Sequence, residues 1–470
     1  MADQAVWESR VPDNAGRDAS ALTYDLVVLG GGLAGLSAAM QASAPVFEAA
    51  DQAGGVAASD TVDGFTFDRG IHVLQTKNQR ILDLLATIGV VLESREREAH
   101  IYSHGCYTPY PFQINTVSLP LLTRLRCVWD FLRRPTVAEP ANYEEWMYSN
   151  IGRGLAETFL IPYSEKFWGV HPRELTHDWT GNRVPVPSTW QVLRGAILSR
   201  KTRIGANATF RYPIGGGGYG SVATALAGQI ENLYLQHAAV AIDPSGRRIR
   251  FANGRAVSYR TLISTLPLPA LLGILERDMP DDIREAVATL RTNSIFLVNL
   301  GIARPNISPR HWVHFPDKNI SFFRISFPHN FDRSIAPPGM SAISAEIAYS
   351  PSNPLDRNTI VDRVIADLVK VGVLRAEDAI VVKSTRDIPL AYCIYDKQRK
   401  NSVRVVTQWL LEQDIITCGR YGLWSYFWSD EAMMSGINAA EKALSRLGRP
   451  AAGVRAAVPY LAAPPARAAR

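Results

Sequence analysis

Gly30, Gly32 and Gly35 follow the apolar run YDLVVLG as Gly-x-Gly-x-x-Gly and lead into LAGLSAAMQA, with Glu48 placed 48 − 30 = 18 residues on, at the end of APVFEA. Together these residue types can hold an adenine dinucleotide. Gly30 permits a tight turn, Gly32 leaves room for a pyrophosphate, Gly35 lets helix and strand approach, and the helix start offers N–H groups to the anion. Glu48 would accept from ribose hydroxyls, and a carboxylate there favours an adenosine without a 2′-phosphate. Arg183, in GNRVPVPSTW, and Arg324, in FFRISF, are guanidinium groups whose surroundings demand a partner, either a bound anion or a structural carboxylate. Tyr163 and Trp168, five apart in PYSEKFW, can wall a nucleotide base with flat π faces or pack as ordinary core. The chain shows no Ser-His-Asp, Cys-His or metal-ligand spacing. Cys106, Cys127, Cys393 and Cys418 lie too far apart for a zinc site or a disulfide framework, so they read as reduced thiols of a cytoplasmic protein.

The elements that position these residues follow from the patterning. YDLVVLG, LAGLSAAMQA and APVFEA form a strand, helix, strand unit within about 30 residues. From about residue 80 to 205 the chain reads as mostly helical and rich in aromatics, as in LLTRLRCVWDFL and RGLAETFLIPYSEKFWG. Strand-like runs return at NLYLQ, RRIRFA, VSYRTLIST, SIFLVNLGI, ISFFRISF and SAISAEIAY, and DIITCG closes the series before a helix over about 429–447. Residues 1–20 read as a mobile leader, and 448–470, rich in Ala and Pro, as a disordered tail.

With 470 residues and 47% hydrophobic content the chain can fill a large core. No stretch approaches the roughly 18 apolar residues of a membrane span. Lysine and arginine exceed the acids by 50 − 44 = 6, with 41 arginines to nine lysines. These are scattered rather than clustered, which argues against a nucleic-acid surface; only individually placed arginines speak for phosphate.

A second glycine pair, Gly54-Gly55, just past Glu48, followed by DGFTFDRGIHVL, resembles the flavin-binding segment of the family that contains amine oxidases, protoporphyrinogen oxidase and UDP-galactopyranose mutase. Several segments resemble the mutase branch, in order from about residue 22 to 447. FDRGIHVLQTKN places His72 at the first mutase histidine, and TPYPFQINT places Gln113 where the mutases carry asparagine. YSEKFWG and GNRVPV match the segments holding Tyr163, Trp168 and Arg183, and ISFFRISF places Arg324 at a second phosphate-binding arginine. FRYPIGGGGYGSVATALA resembles a glycine turn near the flavin, LYLQHAAVAID an adenine-binding strand near Ala239, and PLAYCIYDK places Tyr392 near the active site. CGRYGLWSYFWSDEA places Gly419, Arg420, Tyr426 and Asp430 in the C-terminal flavin and diphosphate motif. Departures are Gln75 in place of a flavin-facing histidine and Trp428 in place of an acid.

The resemblance implies an α/β fold: a Rossmann-like, glutathione-reductase-like FAD-binding domain interleaved with a helical and β-sheet substrate domain. The expected division gives 21–80, 205–290 and 385–447 to FAD, 81–204 to a helical insertion able to mediate self-association, and 291–384 to the substrate sheet. It implies FAD, active when reduced by an unidentified reductant, no metal, and a nucleotide sugar, UDP-linked, as substrate. The implied reaction is a redox-neutral pyranose–furanose interconversion through a flavin N5–sugar adduct, with Arg183, Arg324, Tyr392 and Tyr426 holding the departing diphosphate. Two rivals share the FAD signature: an oxidase or dehydrogenase that takes a hydride from a small molecule, and a flavoprotein that binds a nucleotide sugar without turnover.

Overall fold

Strand Thr23–Leu29, buried from Leu26 onward, lies at the centre of a seven-stranded sheet, as a near-continuous apolar run should when both faces of a parallel sheet are covered. It pairs in parallel with Val46–Phe47 on one side and Ala256–Ser264 on the other. Leu233–Tyr234 extends the sheet beyond Val46–Phe47, and Ile415–Thr417 joins the end of Ala256–Ser264. In this computed structural model the described residues are 22–181, 183–198 and 208–450, so the expected leader over 1–20 and most of the expected tail over 448–470 lie outside them.

Helix Leu33–Ala42 packs on helix Ser429–Arg446, which carries the chain's other end back over the glycine turn. The approach depends on glycine. A Cβ on Gly436 would sit 1.9 Å from the Ala34 carbonyl oxygen, and one on Gly35 would sit 1.9 Å from that of Gly30.

The second layer is another seven-stranded sheet, ordered Ile380–Cys393, Thr292–Ile302, Ser341–Tyr349, Arg324–Ser326, Trp312–His314, Ala99–Ser103 and Cys106–Pro109. Two of its strands fall in the stretch expected to be mostly helical. After helix Gln79–Thr87, residues 92–109 instead form three strands, Leu92–Glu96, Ala99–Ser103 and Cys106–Pro109, and the longer run of helices starts at Leu121. Their mixed polar sequence, LESREREAHIYSHGCYTP, hides the alternation: Ala99, Ile101 and Ser103 point inward, and polar or aromatic residues sit between them. Ile380–Cys393, long and charged, is likewise a strand of this sheet rather than of the dinucleotide sheet. Beyond it, helices Leu121–Leu132, Tyr143–Ile151 and Ile161–Trp168 build an aromatic core around Phe159, Phe167 and Trp168.

Candidate active site

One cavity of about 730 Å³ runs between the two sheets. At one end it is lined by Gly30, Gly32, Glu48, Gly54 and Gly55, and at the other by Tyr163, Trp168, Arg183, Arg324, Tyr392 and Tyr426. His72, Gly419, Arg420 and Gln113 line it as well. Most of the residues singled out from the sequence thus meet in one space.

The glycine end has the shape of a cradle. Gly30 has φ 98° and Gly54 has φ 117°, values that favour glycine. A Cβ on Gly30 would meet Thr265 Oγ1 at 2.1 Å, whereas one on Gly32 would meet nothing within 4 Å, so Gly32 keeps open space at the cavity rather than backbone contact. Helix Leu33–Ala42 has no side-chain cap at its N-terminus, and Leu33 and Ala34 line the cavity. Its first N–H groups are therefore left for an anion. Glu48 accepts from Gly31 N (2.5 Å) and Ala50 N (2.8 Å), which fixes its carboxylate at the cavity wall.

The other end is aromatic and cationic. Arg183 sits in the turn before helix Thr189–Gly195; its Nη2 donates to Tyr426 O and to Glu431 Oε2, both at 3.0 Å, and its guanidinium lies over the rings of Trp428 (4.6 Å) and Tyr426 (5.2 Å). Arg324 makes a two-pronged pair with Glu346 on the neighbouring strand. Arg420 donates to Phe427 O and Ala391 O, each at 3.0 Å, and lies over Tyr392 and Tyr426. Arg183 Nε and Arg420 Nε are buried without a hydrogen-bond partner among the described residues, as is Gln113 Oε1, whose amide Nε2 donates to Pro185 O at 3.0 Å. Orphaned buried donors and acceptors are costly, so this end fits a polar ligand.

Tyr163 is tied to His314, which the sequence reading missed. Trp312 Nε1 donates to His314 Nε2 (3.1 Å), so the proton of the neutral ring sits on Nδ1 and is donated to Tyr163 Oη at 2.9 Å. Burial, with Arg324 and Arg97 nearby, holds His314 well below the usual imidazole range. His72 is held down to about 4 by its enclosure and then by the charges of Arg420 and Arg324; its Nδ1 donates to Gly70 O at 3.1 Å. Arg97, stacked 4.4 Å from the Tyr110 ring, and Trp179 also line the cavity and were not anticipated. A lone acid in the apolar strand SAISAEIAY could have flagged Glu346 as the partner of Arg324; nothing in HWVHF or ESREREAH marks His314 or Arg97.

Some expected residues lie elsewhere. Ala239 begins strand Ala239–Asp243 and is not among the cavity-lining residues; the backbone that runs beside Glu48 belongs to Gln236 and His237, whose N–H groups donate to Ala50 O and Glu48 O. Gly215 to Gly220 are also absent from the lining. Gly215 and Gly216 N donate to Asp332, and Tyr219 N donates to the buried Asp68, so the turn is anchored on these acids. Gln75 and Asp430 do not line the cavity either; Asp430 Oδ1 is buried without a hydrogen-bond partner among the described residues, at the start of helix Ser429–Arg446. Trp428 does line it.

Residues 33–444 match the family described as flavin containing amine oxidoreductase. Among solved structures, that of reduced UDP-galactopyranose mutase is similar over 90% of this chain and 94% of its own, with 28% identity and a TM-score of 0.86. Cyclohexylamine oxidase from Brevibacterium oxydans (14% identity, 90% and 99% coverage, TM-score 0.63) and putrescine oxidase bound to putrescine (16%, 90% and 100%, 0.62) share the fold. The open space at Gly32, the uncapped helix start and the carboxylate of Glu48 fit the adenosine diphosphate half of FAD. The chain belongs to the flavin containing amine oxidoreductase family, as a member similar to UDP-galactopyranose mutase, and FAD is its cofactor.

Proposed function

We propose that the enzyme is a sugar-nucleotide mutase that interconverts ring forms of a nucleotide diphosphate sugar without net oxidation. The observation that carries this reading is the pair of buried guanidinium nitrogens, Arg183 Nε and Arg420 Nε, that have no hydrogen-bond partner among the described residues and belong to residues lining the cavity. Charge supports it. Arg183, Arg324 and Arg420 less their partners Glu346 and Glu431 leave 3 − 2 = +1, a net cation for a diphosphate to meet.

In this reading Trp168, Tyr163, Phe167 and Trp179 enclose the nucleoside, and the arginines with Tyr392 and Tyr426 hold the diphosphate while its bond to the sugar is open. Gln113 Oε1 would accept from a sugar hydroxyl. Bound FAD supplies the electron-rich chemistry at the sugar carbon. The enclosing rings exclude water, so the freed sugar recombines with diphosphate rather than hydrolysing. Incubating the photoreduced holoenzyme with UDP-galactose, UDP-N-acetylgalactosamine and related nucleotides should yield a product of unchanged mass with a contracted ring. A product of altered redox state would overturn the reading.

A hydride-transferring oxidoreductase has one observation in its favour. Arg324 is already satisfied by Glu346, so it need not have an anionic substrate. Bleaching of the oxidised flavin by an amine or alcohol, with no UDP binding at millimolar concentration, would favour that alternative.

A further inference from the structure

Helix Leu121–Leu132 is apolar on the side that faces solvent. Cys127 and Phe131 are its buried residues, whereas Leu122, Leu125, Trp129 and Leu132, at i, i+3, i+7 and i+10, form one outward stripe that is 81, 55, 56 and 51% exposed. Helix Thr189–Gly195, which packs on it, adds Trp190, and the turn beyond adds Ile197 and Leu198, at 70, 73 and 55%. This second helix cannot roll inward to hide them. It is held tight at Gly195, where a Cβ would lie 2.1 Å from the Ile114 carbonyl oxygen. With Leu121, half of the 16 large hydrophobics exposed among the described residues lie on these two neighbouring segments. Concentration of this kind marks a docking face.

The charges choose the occupant. Arg124, Arg133, Arg134 and Arg194 lie on or just after the two helices with no ion pair to a carboxylate among the described residues, whereas Arg126 is taken up by Asp130 and Glu157. Arg133 lies 4.2 Å over the Trp129 ring, so cation and aromatic share the face. Docking this face on a second copy would bring like charges together, whereas an anionic headgroup layer complements them and takes up leucine and tryptophan below. The face also adjoins the cavity rim through the segment between Arg183 and Ser188, where Val184 lines the cavity and Val186 is 52% exposed.

We propose that these two helices form a monotopic docking face for an anionic lipid bilayer surface, with the apolar stripe entering the interface and the cavity rim held beside it. The test is co-sedimentation of FAD-loaded, full-length protein with equimolar phosphatidylglycerol–phosphatidylcholine vesicles and with pure phosphatidylcholine vesicles. Binding to the anionic vesicles should exceed binding to the neutral ones about tenfold and fall at high salt. The variant Leu122→Ser/Leu125→Ser/Trp129→Ser should lose about tenfold in partitioning while keeping its bound-flavin spectrum, since none of the three lines the cavity. Arg133→Gln/Arg134→Gln should weaken binding to anionic vesicles alone. Failure to sediment with anionic vesicles would overturn the proposal. So would a dimer, seen by light scattering, that the triple serine variant splits while neither form binds vesicles, because the face would then belong to a second copy.

Discussion

Arg324 and Glu346 occupy register-paired positions on neighbouring antiparallel strands and are joined by two hydrogen bonds, Nε–Oε1 at 2.9 Å and Nη2–Oε2 at 2.6 Å, with the Glu346 side chain 1% exposed. Removing one partner leaves the other charge buried, at a cost of about 3–5 kcal/mol. Glu346→Ala should therefore lower the unfolding free energy by about that amount in urea titrations. The double variant Arg324→Met/Glu346→Leu should recover most of it. Equal stability of the single and double variants would show that the pair is not coupled.

Two glycine-to-alanine changes three residues apart should fail in opposite ways. At Gly32 the new methyl meets nothing within 4 Å, so the chain should fold and yet lose flavin, because the methyl occupies cofactor space. At Gly35 it would lie 1.9 Å from Gly30 O, so the helix must shift and stability should fall by several kcal/mol. Bound-flavin absorbance after purification and thermal melts of the same samples separate the two outcomes. A Gly32→Ala protein with full flavin occupancy would contradict the placement of the cradle.

Acid should destabilise the protein before most carboxylates titrate. Burial, and then Arg95, hold His311 down to about 4, and burial also holds His329 down to about 4. His311 Nδ1 accepts from Glu98 N at 2.9 Å, a bond that protonation would destroy. Between the ordinary imidazole range near 6.5 and 4, the unfolded chain binds protons that the folded chain refuses, so stability falls as pH falls through that window. Asp68, pushed up to about 6 by burial, works in the opposite sense over part of it. Unfolding free energies measured from pH 7 to 4.5 should decline, and His311→Gln, a neutral acceptor, should reduce the slope by about one proton, or about 1.4 kcal/mol per pH unit. An unchanged slope would exclude His311 as a contributor.

On the proposed function, Arg183→Ala should weaken UDP binding by about 10- to 100-fold, since a charge-assisted bond contributes about 1.5–3 kcal/mol. Quenching of intrinsic tryptophan fluorescence by UDP reports it, with Trp168 and Trp179 in the cavity wall. Glu431→Gln, which frees Arg183 from its carboxylate, should leave binding equal or tighter. Weaker binding in that variant would mean the pair positions Arg183 rather than competes with the ligand.

The dinucleotide end was legible because its physics is local. Gly30, Gly32, Gly35 and Glu48 lie within 19 residues, and each residue type answers a steric or electrostatic demand that the strand, turn and helix pattern reveals. The cationic end was less legible because its partners come from distant strands. Arg324 announces a need, but only the strand register supplies Glu346, and His314 acquires its role from Trp312 and Tyr163. The strands at 92–109 escaped notice because the period-two pattern is short and half polar. The glycine run at 215–218 is anchored by Asp332 and Asp68, and the Tyr219 that follows it stacks on the cavity-lining His72, contacts that no sequence pattern announces.

The contact of Gly436 with Ala34 joins the beginning of the chain to its end across the cofactor cradle. During synthesis the glycine turn therefore emerges some 400 residues before the helix that closes over it. A nascent chain arrested before Ile415 would lack the last parallel strand of the sheet, together with Gly419, Arg420 and the Ser429–Arg446 helix. Flavin capture should be among the last events of biogenesis, and the apoprotein's vulnerable period should be set by translation time.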